Sequence, residues 1–116
     1  QMKEVSGEIE YKGKKYKLLF NLNVMEEIQE EYGSVEAWGA KCEPKKGEPN
    51  VKALIFGFTA MLNEGIEISN EENKEKAPLF TLKQVGRIIS ELGTQQAVMA
   101  LNDTVIKSTQ NPVKNA

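Results

Sequence analysis

The apolar residues of this chain are most concentrated between Val51 and Leu62, in the sequence VKALIFGFTAML. Three residues interrupt the run, so a helix formed here would be apolar on almost every side and must be surrounded by other elements. The run is shorter than the ~20 apolar residues that a membrane span needs. The pattern therefore predicts the central core helix of a small domain, capped by Asn50 and ending near Asn63 and Gly65.

The N-terminal part of the chain alternates apolar and charged residues, which is typical of strands. Residues 7–11 show this period of two, residues 16–20 form the returning strand, and the sequence KGKK between them is a turn signal. Ile9 and Tyr11 would share one face of such a ribbon. Because an isolated hairpin is marginal in water, we expect this one to pack on helices.

Two helix signals lie between the hairpin and the central helix. Asn23 and Glu26 form an Asn variant of the capping box, and Gly33 suits the position after a helix end. They predict a helix over residues 24–32. A second, short helix that carries Trp38 should follow it.

The C-terminal third contains the strongest local helix signal in the chain. Thr81 and Gln84 have capping-box spacing, and Phe80 is placed to pack on Val85 as a hydrophobic staple. A helix should begin there, and another should follow it. The preceding residues, 66–78, are polar and irregular, which predicts a mobile loop.

These elements predict an α+β fold that is mostly α-helical, with an N-terminal β-hairpin packed on a small bundle of about four helices. The chain of 116 residues fits one domain. We expect this domain to cover residues 1–107 and a flexible tail to cover residues 108–116.

Composition excludes several kinds of chemistry. The net charge is −2, and there is no histidine to serve as a base or a zinc ligand. Cys42 is the only cysteine, which rules out an internal disulfide, and no activating base for it is evident. We predict neither catalytic residues nor a cofactor nor a metal. The absence of a signal peptide in the sequence predicts a cytoplasmic protein.

The one basic cluster lies in the predicted hairpin, where lysines alternate with tyrosines. It fits either a weak nucleic-acid strip or the solvent face of an edge hairpin, where lysine also discourages aggregation. We favour the second interpretation, and we expect neither nucleic acid nor a membrane as a partner. The cluster consists of Lys12, Lys14, Lys15 and Lys17.

The order of these signals resembles a known family. A hairpin with the turn YKGKKYKL leads into FNLNVMEEIQEEYGS, then into the apolar helix ALIFGFTAMLNEG, and after a polar loop into LFTLKQV. Over roughly residues 8–93 this is similar to the tail assembly chaperones of long-tailed phages and prophages of Gram-positive bacteria. The pattern contains no catalytic signature.

The resemblance implies a function in the host bacterial cytoplasm. Such a chaperone is not an enzyme; it keeps the tape-measure protein soluble, helps to recruit tail-tube subunits and is absent from the mature virion. Self-association stays open, as does a longer frameshifted form. The alternatives are another phage structural component, such as a head–tail connector or tail component, and a small helical regulatory or DNA-binding domain.

A chaperone of this kind needs an apolar groove with a polar rim, which binds an amphipathic helix. Candidates for the groove are the apolar residues outside the regular helical stripes, although they would equally serve to close the core. These candidate partner-binding residues are Trp38, Ile66, Ile68, Leu79, Phe80 and Met99.

Overall fold

A computed structural model describes residues 6–110 of the chain, with the side chains of residues 7–108. Two strands, β1 (Ser6–Tyr11) and β2 (Lys14–Leu19), form an antiparallel hairpin. The helices that follow are α1 (Leu22–Tyr32), α2 (Val35–Cys42), α3 (Val51–Asn73), α4 (Leu82–Leu92) and α5 (Thr94–Gln110). The predicted fold class, a mostly helical α+β domain with an N-terminal hairpin, is confirmed.

The hairpin turn consists of Lys12 and Gly13, which have φ angles of 53° and 76°. Positive φ at both central residues is typical of the type I′ turn, whose twist matches that of the flanking strands. The predicted turn, residues 12–15, is therefore too long, and its second half belongs to β2. Ile9 and Leu18 are buried on the face that packs against the helices, as the alternation predicts.

Helix α1 begins two residues earlier than predicted. The N-cap is Asn21, whose backbone is extended and whose Oδ1 accepts a hydrogen bond of 3.2 Å from the Val24 N–H. The prediction that Asn23 caps this helix is wrong, since Asn23 lies inside it and its side chain donates to Glu64 at 3.1 Å. The predicted end at Gly33 is confirmed.

Helix α2 brings Trp38 into the core against α3. The indole is 3% exposed, and its Nε1 donates a hydrogen bond of 2.9 Å to the backbone oxygen of Ala53. The ring lies directly over Gly57, where an added Cβ would overlap it. Gly57, one of the three residues that interrupt the apolar run, is therefore the position at which α3 accommodates the tryptophan.

Helix α3 is much longer than predicted. Asn50 caps it as expected, with a hydrogen bond of 2.9 Å from the Ala53 N–H. The helix does not end at Gly65, however, and the predicted mobile loop over residues 66–78 is helical up to Asn73. A Cβ at Gly65 would lie 2.9 Å from the backbone oxygen of Lys17, so the glycine allows α3 to pass close to β2.

The capping box at the start of α4 is confirmed. Thr81 Oγ1 accepts a hydrogen bond of 3.1 Å from the Gln84 N–H, and Gln84 Oε1 accepts one of 2.8 Å from the Thr81 N–H. Helix α5 runs through Gln110, so it includes the first residues of the predicted tail; residues 111–116 lie outside the described part of the chain.

The contact between Trp38 and Gly57 gives a stability prediction. Gly57→Ala should lower the free energy of unfolding by roughly 1–3 kcal/mol, because the new methyl group must displace the indole. Gly39→Ala is the matched control: it also replaces a helical glycine, and a Cβ there meets no atom within 4 Å. The control should be neutral or stabilising by about 0.5–1 kcal/mol. Equal midpoints in urea for the two variants would contradict this account of the core.

A second prediction compares the core of α3 with the cap of α4. Leu54 is fully buried, so Leu54→Ala should cost on the order of 2–5 kcal/mol. Thr81→Ala removes one capping interaction and should cost about 1 kcal/mol. A larger shift of the urea midpoint for the Thr81 variant would show that α3 is not the centre of the core.

Candidate partner-binding site

Two asparagines of α3 hold the connection between α3 and α4 against the helix. Asn63 accepts a hydrogen bond of 2.8 Å from the Phe80 N–H and donates one of 3.0 Å to the Phe80 oxygen. Asn70 makes the same pair of bonds to Ala77, both at 3.0 Å. The two asparagines are seven residues apart and share one face of α3. Each satisfies both backbone groups of one residue, as a neighbouring strand would.

An open groove of about 620 Å³ lies between β2, the second half of α3 and this connection. We call it the hairpin groove. Its apolar lining consists of Leu19, Leu62, Ile66, Ile68 and Phe80, with Ala77 and Pro78 of the connection. Three lysines of β2 and two glutamates, Glu72 and Glu75, also line it, so both signs of charge are present.

Phe80 fixes the geometry of the hairpin groove. Its ring contacts Tyr16 of β2 edge to face, with the centroids 5.2 Å apart and the planes at 70°. This arrangement is favoured for aromatic pairs. The backbone of Phe80 is hydrogen-bonded to α3 as described, so one residue links the hairpin, the connection and the long helix. The groove is therefore built largely before any partner binds.

A second, smaller depression of about 180 Å³ lies between α1, α3 and the start of α4. We call it the acidic cleft, because three of its lining residues are Glu27, Glu64 and Glu67. Its apolar lining consists of Phe56, Ala60, Leu79 and Leu82. Leu79 and Leu82 are 44% and 56% exposed.

The carboxylates of the acidic cleft repel one another. Partial burial raises the pKa of Glu27, and the negative charges of Glu64, Glu67 and Glu26 raise it further. Glu64 is held in place, since its Oε2 accepts a hydrogen bond of 2.8 Å from the side chain of Asn21. The cleft therefore presents fixed negative charge beside apolar side chains.

The sequence-predicted binding residues fall into different environments. Three of them meet in the hairpin groove: Ile66, Ile68 and Phe80. Leu79 lines the acidic cleft instead. Trp38 is buried in the core, so it is not available to a partner. Met99 is 63% exposed on α5 and lines neither surface.

Sequence reasoning missed Leu82 as a surface residue. Its spacing with Val85 and Ile88 places it on the core stripe of α4. It is the first residue of that helix, however, and lies 56% exposed in the acidic cleft beside α3. The position of Leu82 in the first turn of α4 was the sequence signal that could have indicated its exposure.

Cys42 has no features of a reactive thiol. The side chain is 5% exposed, next to a cavity of about 130 Å³ between α2 and α5. Burial raises the pKa of Cys42 to about 12, and the charge of Glu43 acts in the same direction. The thiol therefore stays protonated at neutral pH, and a protonated thiol is a poor nucleophile.

A scan against known protein families found no match for this chain, and searches of curated proteins and of solved structures found none either. Within residues 6–110, no helix has both the length and the apolar character needed to cross a membrane. In the same part of the chain, His, Cys, Asp and Glu side chains form no group of three placed to hold a metal ion.

The raised pKa of Glu27 gives a pH prediction. An acid with a higher pKa in the folded state binds its proton more tightly there, so stability falls as pH rises through the raised pKa. Glu27→Gln removes this ionisation and should therefore increase the urea midpoint at pH 7. The advantage over the unsubstituted protein should disappear below pH ~4, where glutamates are protonated.

Glu30→Gln on the same helix is the control, because it removes one negative charge outside the acidic cleft. If the two variants shifted the midpoint equally at pH 7, the effect would come from net charge. The local repulsion described for the cleft would then be wrong.

Proposed function

We propose that this chain is a phage or prophage tail assembly chaperone that binds an apolar helical segment of the tape-measure protein in the hairpin groove. It keeps that protein soluble in the host cytoplasm, helps to recruit tail-tube subunits and is absent from the finished virion. The resemblance over residues 8–93 supports this proposal. The observation that carries it is an open groove with an apolar lining, built from fixed elements.

The size and shape of the hairpin groove suit part of a helix. Its volume of about 620 Å³ is in the range of binding sites for small ligands, and it is bounded by a strand on one side and a helix on the other. An amphipathic helix placed there would insert apolar side chains spaced three and four residues apart. Ile66 and Ile68 would contact those side chains, and the charged rim would remain in water.

The charge of the groove predicts how binding responds to salt. Lysines line one side and glutamates the other, so a partner meets no large excess of either sign. Apolar contact should then supply most of the affinity, and screening by salt should change it little. Burial of apolar surface should also give a negative heat-capacity change on binding.

Co-expression tests the proposal. The tape-measure protein should be soluble with this chain and aggregated without it. Ile68→Asp should abolish that effect, because it places a charge in the lining of the groove. Met99→Asp is the matched control: it adds the same charge at an exposed apolar residue outside the groove, and it should preserve solubility.

Phe80→Asp is a second test of the groove, with a condition attached. Because Phe80 contacts Tyr16, circular dichroism and the melting temperature of this variant must first show that it folds. Equal solubility of the tape-measure protein with and without the chain would contradict the proposal. The head–tail connector alternative would then gain support.

A further inference from the structure

The acidic cleft is a separate surface from the hairpin groove. Leu79 and Leu82 line the cleft and not the groove, whereas Phe80, between them in sequence, lines the groove and not the cleft. A partner in one therefore leaves the apolar lining of the other open. The proposed function uses the groove and gives no role to the cleft.

The volume of the acidic cleft limits what it can hold. A cavity of ~150 Å³ holds a benzene-sized molecule. The cleft, at about 180 Å³, therefore fits one large apolar side chain and not a whole amphipathic face. Leu79 and Leu82 lie at this site with much of their surface in water, and an inserted side chain would cover part of it.

The polar lining indicates the charge of the occupant. Glu27, Glu64 and Glu67 surround the apolar part, and none of the described lining residues is basic. Their mutual repulsion is relieved by a cation, and a lysine or arginine supplies hydrogen-bond donors as well.

We propose that the acidic cleft is a second docking site, which binds a cationic segment of a partner protein. The segment carries one large apolar side chain, which inserts between Leu79 and Leu82. It also carries lysine or arginine beside that side chain, placed to pair with Glu27, Glu64 and Glu67. This inference does not depend on the proposed function, because it concerns different residues and a different ligand chemistry.

The hairpin of a second copy is a poor fit for the cleft. The chain's own basic cluster lies in the hairpin, at Lys12 to Lys17. In the described part of the chain, the large apolar residues that are exposed all lie outside the hairpin. The hairpin therefore supplies the charge but not the apolar side chain that the cleft accommodates.

The test uses labelled synthetic helical peptides and fluorescence anisotropy with the full chain. One peptide combines lysines with a single leucine, a second replaces the lysines with glutamate, and a third replaces the leucine with serine. The first should bind, with an affinity that falls as salt increases. The other two should bind about tenfold more weakly or not at all. Equal binding of the first and third peptides would overturn the proposal.

Paired variants locate the binding. Glu27→Gln with Glu67→Gln should weaken the first peptide by about tenfold, whereas Glu30→Gln with Glu31→Gln changes net charge equally and should have little effect. Equal weakening by both pairs would show non-specific attraction and would overturn the proposal. On the unsubstituted chain, the pKa of Glu27 followed by NMR should fall when the peptide binds; an unchanged value would place the peptide elsewhere.

Substitution of the apolar residues completes the test. Leu79→Ser with Leu82→Ser should remove peptide binding, and both are exposed enough for the fold to persist. Leu22→Ser, at a residue 77% exposed outside the cleft, is the control. Retained binding by the double variant would overturn the proposal. So would a dimer, detected by sedimentation, that the Glu27 and Glu67 substitutions dissociate, because the occupant would then be a second copy.

Discussion

The close approach of other elements to α3 is the constraint on which the rest of the structure depends. Strand β2 and the other four helices all pack against this 23-residue helix. Two of its glycines lie where there is no room for a side chain: Gly57 under the indole of Trp38, and Gly65 against the backbone of Lys17. A helix with larger residues at these positions would push α2 and the hairpin outward. The glycines therefore set the spacing of the core, at a modest cost in helix propensity.

The length of α3 separates core from binding surface. Its first half carries the fully buried residues Leu54, Phe58 and Met61, whereas its second half forms most of the α3 wall of the groove. Residues of both halves line the cleft. The hydrogen bonds of Asn63 and Asn70 keep the returning chain on this second half. Without them the connection could leave the helix, and the apolar residues of the groove would face open water. The amide side chains of Asn63 and Asn70 thus hold the connection that forms one wall of the groove.

The sequence was sufficient to predict the elements but not all of their ends. Thr81 and Asn50 cap their helices as expected, because a side-chain oxygen three residues before a free N–H is a local relation that sequence displays. Gly65 was misleading, because a glycine that ends a helix and one that admits a neighbouring strand look the same in sequence. Asn21 and Asn23 present a similar ambiguity, because both residues are good caps. Asn21 caps the helix, and the side-chain amides of both asparagines donate to Glu64, which is 41 residues from Asn23 in sequence.

Apolar residues that lie in polar sequence indicated the lining of a surface groove, whereas those in a regular stripe did not; partner binding at these residues stays a prediction. Ile66 and Ile68 stand among charged residues and do line the groove. Trp38 met the same criterion, yet its polar Nε1 finds a carbonyl inside the core, a contact that depends on tertiary structure. Leu82 fits a stripe but lies at its end, beside the acidic cleft, where it stays 56% exposed although α3 runs alongside. A stripe gives the direction of side chains, whereas burial also requires that the neighbouring elements close over them, so apolar surface can remain at the first turn of a core helix.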